Sequence, residues 1–311
     1  MSLVRKVLLR IAAALLTVFI AATLAFLALQ IIPGDAAEAA LSQSTASQAV
    51  LEARRAALGL DQPVSIQYLR YISGLFRGDL GISWATGEPV SSRIGRVLRP
   101  TASLAAVAIG FAMVFGLPLG IAAAADRGWS AVLSRVLASL GIATPVMFSG
   151  TLAIWLFAVL LGWLPATGQG SLLHLVMPGV VLGFSVMGGI ARVTEASIAE
   201  TLSHPFIRTA YAKGLSRRVI LWRHAFRAGL LPVLDTIALQ FGYLLAGTVI
   251  TESVFARQGL GRVLLQAVLD QDLPVVQGAV VLAAGIYVIL GLLADVAQML
   301  ADPRLRREIA A

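Results

Sequence analysis

No cysteine occurs among the 311 residues, which excludes disulfides, thiolate nucleophiles and cysteine-based metal sites. Histidine is nearly as scarce. His174, His204 and His224 lie in different parts of the chain, and no HExxH, Cys/His or GxSxG arrangement is present. A membrane protease or metalloenzyme is therefore disfavoured on residue inventory. The phosphate-cradling GxxxxGK[ST] loop is missing too, since Lys213-Gly214 stands in the reverse order. If ATP is used, another chain binds it, and no cofactor or metal of this chain's own is expected. Charge is also sparse: 13% of residues are charged against 58% hydrophobic, and the mean hydropathy is +0.87. A soluble domain of this size has no core able to hide so much apolar surface.

The apolar residues come in long runs. Crossing about 30 Å of hydrocarbon takes roughly 20 residues, and six runs qualify: 11–32, 101–125, 136–161, 171–191, 228–251 and 275–300. Thr144-Pro145 interrupts the third, Pro232 and Asp235 stand near the start of the fifth, and Asp295 near the end of the sixth. Prolines within spans are tolerated in lipid. The expected fold class is an all-α integral membrane protein of about six transmembrane helices. Its parts are an amino-terminal stretch with the first helix (1–32), an external segment (33–99), a five-helix core (100–300) with a loop at 192–229, and a tail (301–311). Arg5, Lys6 and Arg10 before the first run also suit a signal peptide, but 22 apolar residues exceed a signal core, so an anchor is expected.

Basic residues at the span ends orient the chain. A cytoplasmic amino terminus puts Arg5, Lys6, Arg10, Arg127, Arg135, seven basic residues from Arg192 to Arg227, and Arg304, Arg306 and Arg307 inside. Arg93, Arg96 and Arg99 oppose this assignment, but they end a long loop, and long loops translocate largely regardless of charge. Both termini are thus expected in the cytoplasm. The net charge of +8 then reflects membrane topology rather than nucleic-acid binding.

The loop 192–229 is longer than a connection between adjacent helices requires. Ser203 is expected to cap a helix that holds Pro205 in its first turn and stops at Gly214. Phe206 with Ala210, and Ile207 with Tyr211, form apolar pairs at helical spacing, with Arg208, Thr209 and Lys213 on the other side. A second amphipathic stretch, 219–226, leads towards Pro232. Seven basic residues alone would hold the loop at anionic lipid, at about 1 kcal/mol each. Charge needs no defined shape, so a capped helix favours docking on a protein partner. At the other membrane face, Glu252-Ser253-Val254-Phe255 leads through Gly259 and Gly261 into a short interfacial helix with Arg262, Gln266, Asp270 and Asp272 as its polar residues. Glu252, Phe255, Gly259 and Gly261 are candidate outer-face contacts, a plain connector being the alternative. In the external segment, the turn at Leu58-Gly59-Leu60-Asp61-Gln62-Pro63, the run Gln67-Tyr68-Leu69 and the turn Gly78-Asp79-Leu80-Gly81 indicate a folded cap.

Six stretches in register give the chain a resemblance to the membrane subunits of binding-protein-dependent ABC importers, in particular the B-type permeases of the peptide and nickel branch. They are Ile31-Ile32-Pro33-Gly34-Asp35, the Leu58 to Pro63 turn, the Gly78 to Gly81 turn, Arg208-Thr209-Ala210-Tyr211-Ala212-Lys213-Gly214-Leu215-Ser216 with Arg223-His224, the Glu252 to Phe255 stretch with Gly259-Leu260-Gly261, and Asp302-Pro303-Arg304. The resemblance implies a type I importer permease fold whose loop helix sits in a groove of a separate ATPase. It places the coupling role on Arg208, Thr209, Ala210 and Gly214, with Lys213 and Leu215 beside them. Arg208 stands where the general permease motif has glutamate, so a glutamate contact does not transfer. The implied partners are a second related permease, two ATP-binding subunits that hold ATP and Mg, and an extracytoplasmic binding protein, all at a bacterial inner membrane. The implied cargo is a di- or oligopeptide, or a related small solute such as nickel. The alternative is a stand-alone secondary transporter or channel, which calls for ionisable groups facing inward near mid-membrane.

Overall fold

The computed structural model describes residues 3–31, 48–125 and 128–301. Residues 32–35 of the first motif, the stretch 36–47, Arg127 and the tail 302–311 with Asp302-Pro303-Arg304 lie outside the described residues.

A backbone in lipid must satisfy its own hydrogen bonds, so the apolar runs fold as helices. α1 (Leu3–Gln30) carries the first run, α2 (Gln48–Leu58) and α3 (Val64–Phe76) follow it, and α4 (Val90–Ala125) carries the second. α5 (Trp129–Ala143) and α6 (Val146–Ala153), the latter prolonged by π-helical Ile154–Leu160, divide the third. α7 (Leu173–Ser203) is followed by the short α8 (Pro205–Ala212) and by α9, the stretch 217–228, π-helical at Ile220–Ala225. α10 (Leu230–Val254), α11 (Leu260–Leu269) and α12 (Leu273–Ala301) complete the order. Among the described residues, four helices are long and apolar enough to span a membrane, and two bent pairs bring the number to six. The α5–α6 pair bends by 101°. Thr144 is extended there, as the residue before a proline must be, and Pro145 has no N–H to offer the ladder. The one sheet-like pairing among the described residues is the bridge between Ile82 and Pro89.

Two helices outrun their apolar segments. α4 begins at Val90, well before position 101, and α7 continues past position 191 to Ser203. Arg93, Arg96, Arg192 and Glu195 end an apolar run without ending a helix, because all are acceptable helix formers.

The chain divides into two compact units. In the larger, built on residues 102–257, Leu104, Ala108 and Ala112 of α4 pack with Leu182 and Ile190 of α7 and Leu244 of α10. The approach of α4 to α7 is close: a Cβ at Gly120 would fall 2.5 Å from the Ala191 carbonyl oxygen. Helices in lipid gain little from the hydrophobic effect and depend on such small-residue contacts.

In the second unit, residues 10–101 with 258–288, Val90 and Ile94 of α4 pack with Leu260 and Ala267 of α11 and Val275 of α12. Phe26 of α1 lies 5.8 Å from Tyr71 in a stacked pair and meets Tyr68 edge-on at 5.3 Å, fastening α3 to α1. Asp272 departs from the sequence reading. It lies beyond the end of α11 and is fully buried instead of forming a polar helix face. Its carboxylate accepts from Ser83 Oγ at 2.5 Å, the Trp84 N–H at 2.9 Å and Arg93 Nη1 at 3.0 Å. A buried carboxylate left unpaired would cost several kcal/mol, so these donors hold the turn after Ile82 against the α11–α12 junction.

Candidate functional site

The segment from Ser203 to Leu215 forms the short helix that the sequence indicates, but its start is set differently. Ser203 is the last residue of α7, and its Oγ donates to the Glu200 carbonyl at 2.7 Å instead of capping α8. The N-cap position belongs to His204, which makes no side-chain cap bond and is extended, with ψ at 147°. The backbone restriction before Pro205 breaks the helix here, and Pro205 restarts it at a position where no N–H is required. At the other end Gly214 adopts φ +75°. Its N–H reaches the Tyr211 carbonyl at 2.9 Å, and the Leu215 N–H reaches the Ala210 carbonyl at 3.2 Å. These two bonds are the Schellman closure, which consumes carbonyls that would otherwise be orphaned.

Burial divides the apolar residues of α8 unlike the sequence pairing. Ile207 and Ala210, 1% and 6% exposed, pack against Ile220 of α9 and Leu202 of α7. Phe206 and Tyr211 face outward, at 46% and 49% exposed, and Leu215, Val219 and Trp222 are exposed beside them. Pro205, Arg208, Thr209 and Lys213 are exposed as well. The helix is thus fastened by one edge and presents aromatic and basic side chains on the other. Beside it lies a cavity of about 670 Å³ bordered by Tyr211, Arg217 and the Arg135–Glu195 ion pair, whose N···O distance is 2.7 Å.

α9 joins this surface to α10. Ala225 packs with Ile121 of α4 and Ile198 of α7, and the Ser197 hydroxyl donates to the Gly229 carbonyl at 2.8 Å. Neither Ser197 nor Gly229 stands out in the sequence, because the contact joins separate elements and matches no short motif. Ile207 and Ala210 stand at helical spacing, but so do the exposed Phe206 and Tyr211, so spacing alone does not mark the buried edge.

At the far end of α10, Glu252, Phe255, Gly259 and Gly261 are all buried, and the exposed residues of that stretch are Ser253, Ala256 and Gln258. In the larger unit, Phe255 packs on Met177 and Val181, and its carbonyl accepts from the Gly168 N–H at 3.0 Å. Arg257, 4% exposed, donates to the His174 carbonyl at 3.0 Å. Burial pushes its guanidinium down from the ordinary arginine value, against the opposing influence of Glu252. In the second unit, Gly259 is the N-cap of α11, and the Leu260 N–H donates to Thr101 Oγ1 at 2.8 Å. These residues build the turn between α10 and α11.

A multi-pass helical protein with a rigidly seated amphipathic helix on the loop between two spans has the architecture of a membrane transport subunit. The chain belongs to the binding-protein-dependent ABC importer permeases: residues 116–307 match the family described as the inner membrane component of binding-protein-dependent transport systems, and residues 3–105 match its N-terminal component. It is 38% identical over 291 residues to the glutathione transport system permease protein GsiC of Escherichia coli K12, covering 93% of this chain and 95% of that one. GsiC of Salmonella paratyphi A is similar at the same identity and coverage. The fold is similar to that in inward-facing crystal forms of the MetNI methionine ABC transporter. One superposes with a TM-score of 0.52 at 19% identity, over 70% of this chain and 97% of that one. Another gives 0.53 at 16% identity, over 67% and 96%. The type I importer permease fold implied by the sequence resemblance is therefore the fold observed.

Proposed function

We propose that this permease carries peptide-like solutes inward, driven by ATP hydrolysis on separate partner chains that dock on α8. The observation that carries this reading is the division of α8: Ile207 and Ala210 anchor it, while Phe206, Tyr211 and Leu215 are left facing outward beside Arg208 and Lys213. Apolar side chains exposed on a seated helix within a basic loop suit a protein groove better than a lipid surface. A push on α8 passes through Ile220 and α9 to Gly229, which Ser197 holds, and so to α10. That route supports alternating access driven from the loop. The roles assigned to Arg208, Thr209, Ala210 and Gly214 belong to this proposal.

The similarity to the GsiC permeases, named for glutathione transport, supports a peptide-like solute. The family's description supports an extracytoplasmic binding protein and an inner-membrane location. In this reading a second, related permease completes the pathway, two ATP-binding chains hold ATP and Mg, and both termini are cytoplasmic by the distribution of basic residues. Coexpression with its transport partners and reconstitution into liposomes tests the proposal. Copurification with ATP-binding chains and ATP-dependent uptake of a short peptide are expected. A chain that purifies alone and moves solute down an ion gradient without ATP would be a secondary carrier instead.

A further inference from the structure

The lipid-facing side chains of a span are apolar, and an ionisable group within one turns toward the bundle interior or a water-filled cavity. α1 follows the first rule, since its middle exposes Leu15, Leu16, Phe19 and Ile20. α10 does not. One side of it packs on α7, burying Leu244 against Leu182, while another exposes Asp235, Leu239 and Tyr243, four residues apart and therefore on one stripe. Leu239 and Tyr243 are 59% and 62% exposed. The stripe runs from about 8 to about 20 Å beyond the start of α10 at Leu230, so most of it lies within a hydrocarbon layer about 30 Å thick. Gln240 flanks the stripe, half-buried. Gly189 of α7 leaves room for it, because a Cβ there would fall 2.4 Å from the Gln240 amide nitrogen. Gln298 of α12 donates to Asp235 Oδ1, which orients the carboxylate without neutralising it. Asp235 forms no ion pair among the described residues.

We infer that this stripe is a wall of the water-filled path taken by the solute, with Asp235 receiving the ammonium group of a passing peptide and Gln240 and Tyr243 offering hydrogen bonds to its amides. The inference rests on the transport reading above. Lipid or an apolar helix laid over the stripe would leave a charged carboxylate dry and unpaired, whereas water on a solute path solvates it between passages. A fixed negative charge in a narrow passage also concentrates cations and repels anions, which suits the ammonium end of a peptide.

The absence of cysteine from the chain supplies the test. A single cysteine is placed at Leu239, at Tyr243 or, as a lipid-facing reference, at Leu15, in the transporter assembled with its partner chains in nanodiscs, where reagent reaches both membrane faces. Methanethiosulfonates react with the thiolate, which forms in water and not in lipid. Leu239→Cys and Tyr243→Cys should react about tenfold faster than Leu15→Cys. At Leu239→Cys, one turn from Asp235, a trimethylammonium reagent should outpace a sulfonate reagent about fivefold, each rate taken relative to that with a free thiol in water, and Asp235→Asn should remove the preference. In proteoliposomes, a bulky maleimide on either α10 cysteine should stop the ATP-coupled uptake of alanyl-phenylalanine that the unmodified variant shows. Unreactive cysteines on α10, a reagent preference unmoved by Asp235→Asn, or uptake that survives the maleimide would each overturn the inference. ATP-coupled uptake by the cysteine-free chain reads the transport proposal separately, so a failure of the stripe leaves that proposal standing.

Discussion

The Ser197 hydroxyl and the Gly229 carbonyl, 32 residues apart, meet at 2.8 Å. This bond ties α7 to the residue from which α10 departs, and a Cβ at Gly229 would lie 2.9 Å from the same hydroxyl oxygen. Ser197→Ala removes about 1 kcal/mol and should lower ATP-coupled uptake severalfold without loss of membrane insertion. Gly229→Val forces the two helices apart and should lower it further. Uptake and ATPase rates in proteoliposomes read both effects, and full coupling in Gly229→Val would remove this joint from the transmission route.

Gly214 has open space around it: a Cβ added there would meet nothing within 4 Å, so its requirement is conformational. At φ +75° an ordinary L residue costs about 1–2 kcal/mol, whereas asparagine tolerates the region better. Gly214→Arg should insert normally yet abolish ATP-coupled uptake, and Gly214→Asn should retain most of it. Normal stimulation of ATPase activity and normal uptake in the arginine variant would dissociate the helix terminus from coupling.

The two edges of α8 should respond differently to substitution. Phe206→Ala and Tyr211→Ala leave the fold intact and should each weaken retention of the ATP-binding chains about tenfold, in line with exposed aromatic anchors. Ile207→Ala opens a cavity against Ile220 and should cost about 2–5 kcal/mol locally. Protease protection of the loop distinguishes the cases: it should fall in Ile207→Ala and stay unchanged in the other two.

Asp272→Ala strands Arg93, whose side chain is 14% exposed, and leaves Ser83 without its acceptor. Removal of one partner from a buried ion pair costs about 3–5 kcal/mol. Thermal unfolding in detergent should shift clearly downward, while Arg96→Ala, which breaks the exposed pair with Glu88, should shift it by no more than about 1 kcal/mol equivalent.

The spans are legible in the sequence because hydropathy is a local property, and Thr144-Pro145 marks the break between α5 and α6. Gly214 is legible as a helix stop for the same reason, since a glycine after an amphipathic turn is a local signal. The cap at Ser203 misleads because a hydroxyl before proline looks like an N-cap, whereas proline's steric restriction moves the break to His204. Phe206 and Tyr211 group with the buried residues in the sequence because periodicity identifies an apolar face but not which part of it the rest of the chain covers. Asp272, Ser83 and Arg93 are illegible as a set because their contacts join positions up to 189 residues apart.

α7 is 31 residues long, which makes it about 46 Å from end to end, while the hydrocarbon layer is about 30 Å thick. The twelve residues from Arg192 to Ser203 add about 18 Å, more than the roughly 6 Å that the headgroups occupy on one side. The polar end of α7 is therefore long enough to reach past the headgroups, and α8 is seated on it through Leu202. In the proposed docking, the ATP-binding chain then needs no lipid-binding face of its own, and its grip should be indifferent to the anionic lipid content of the leaflet.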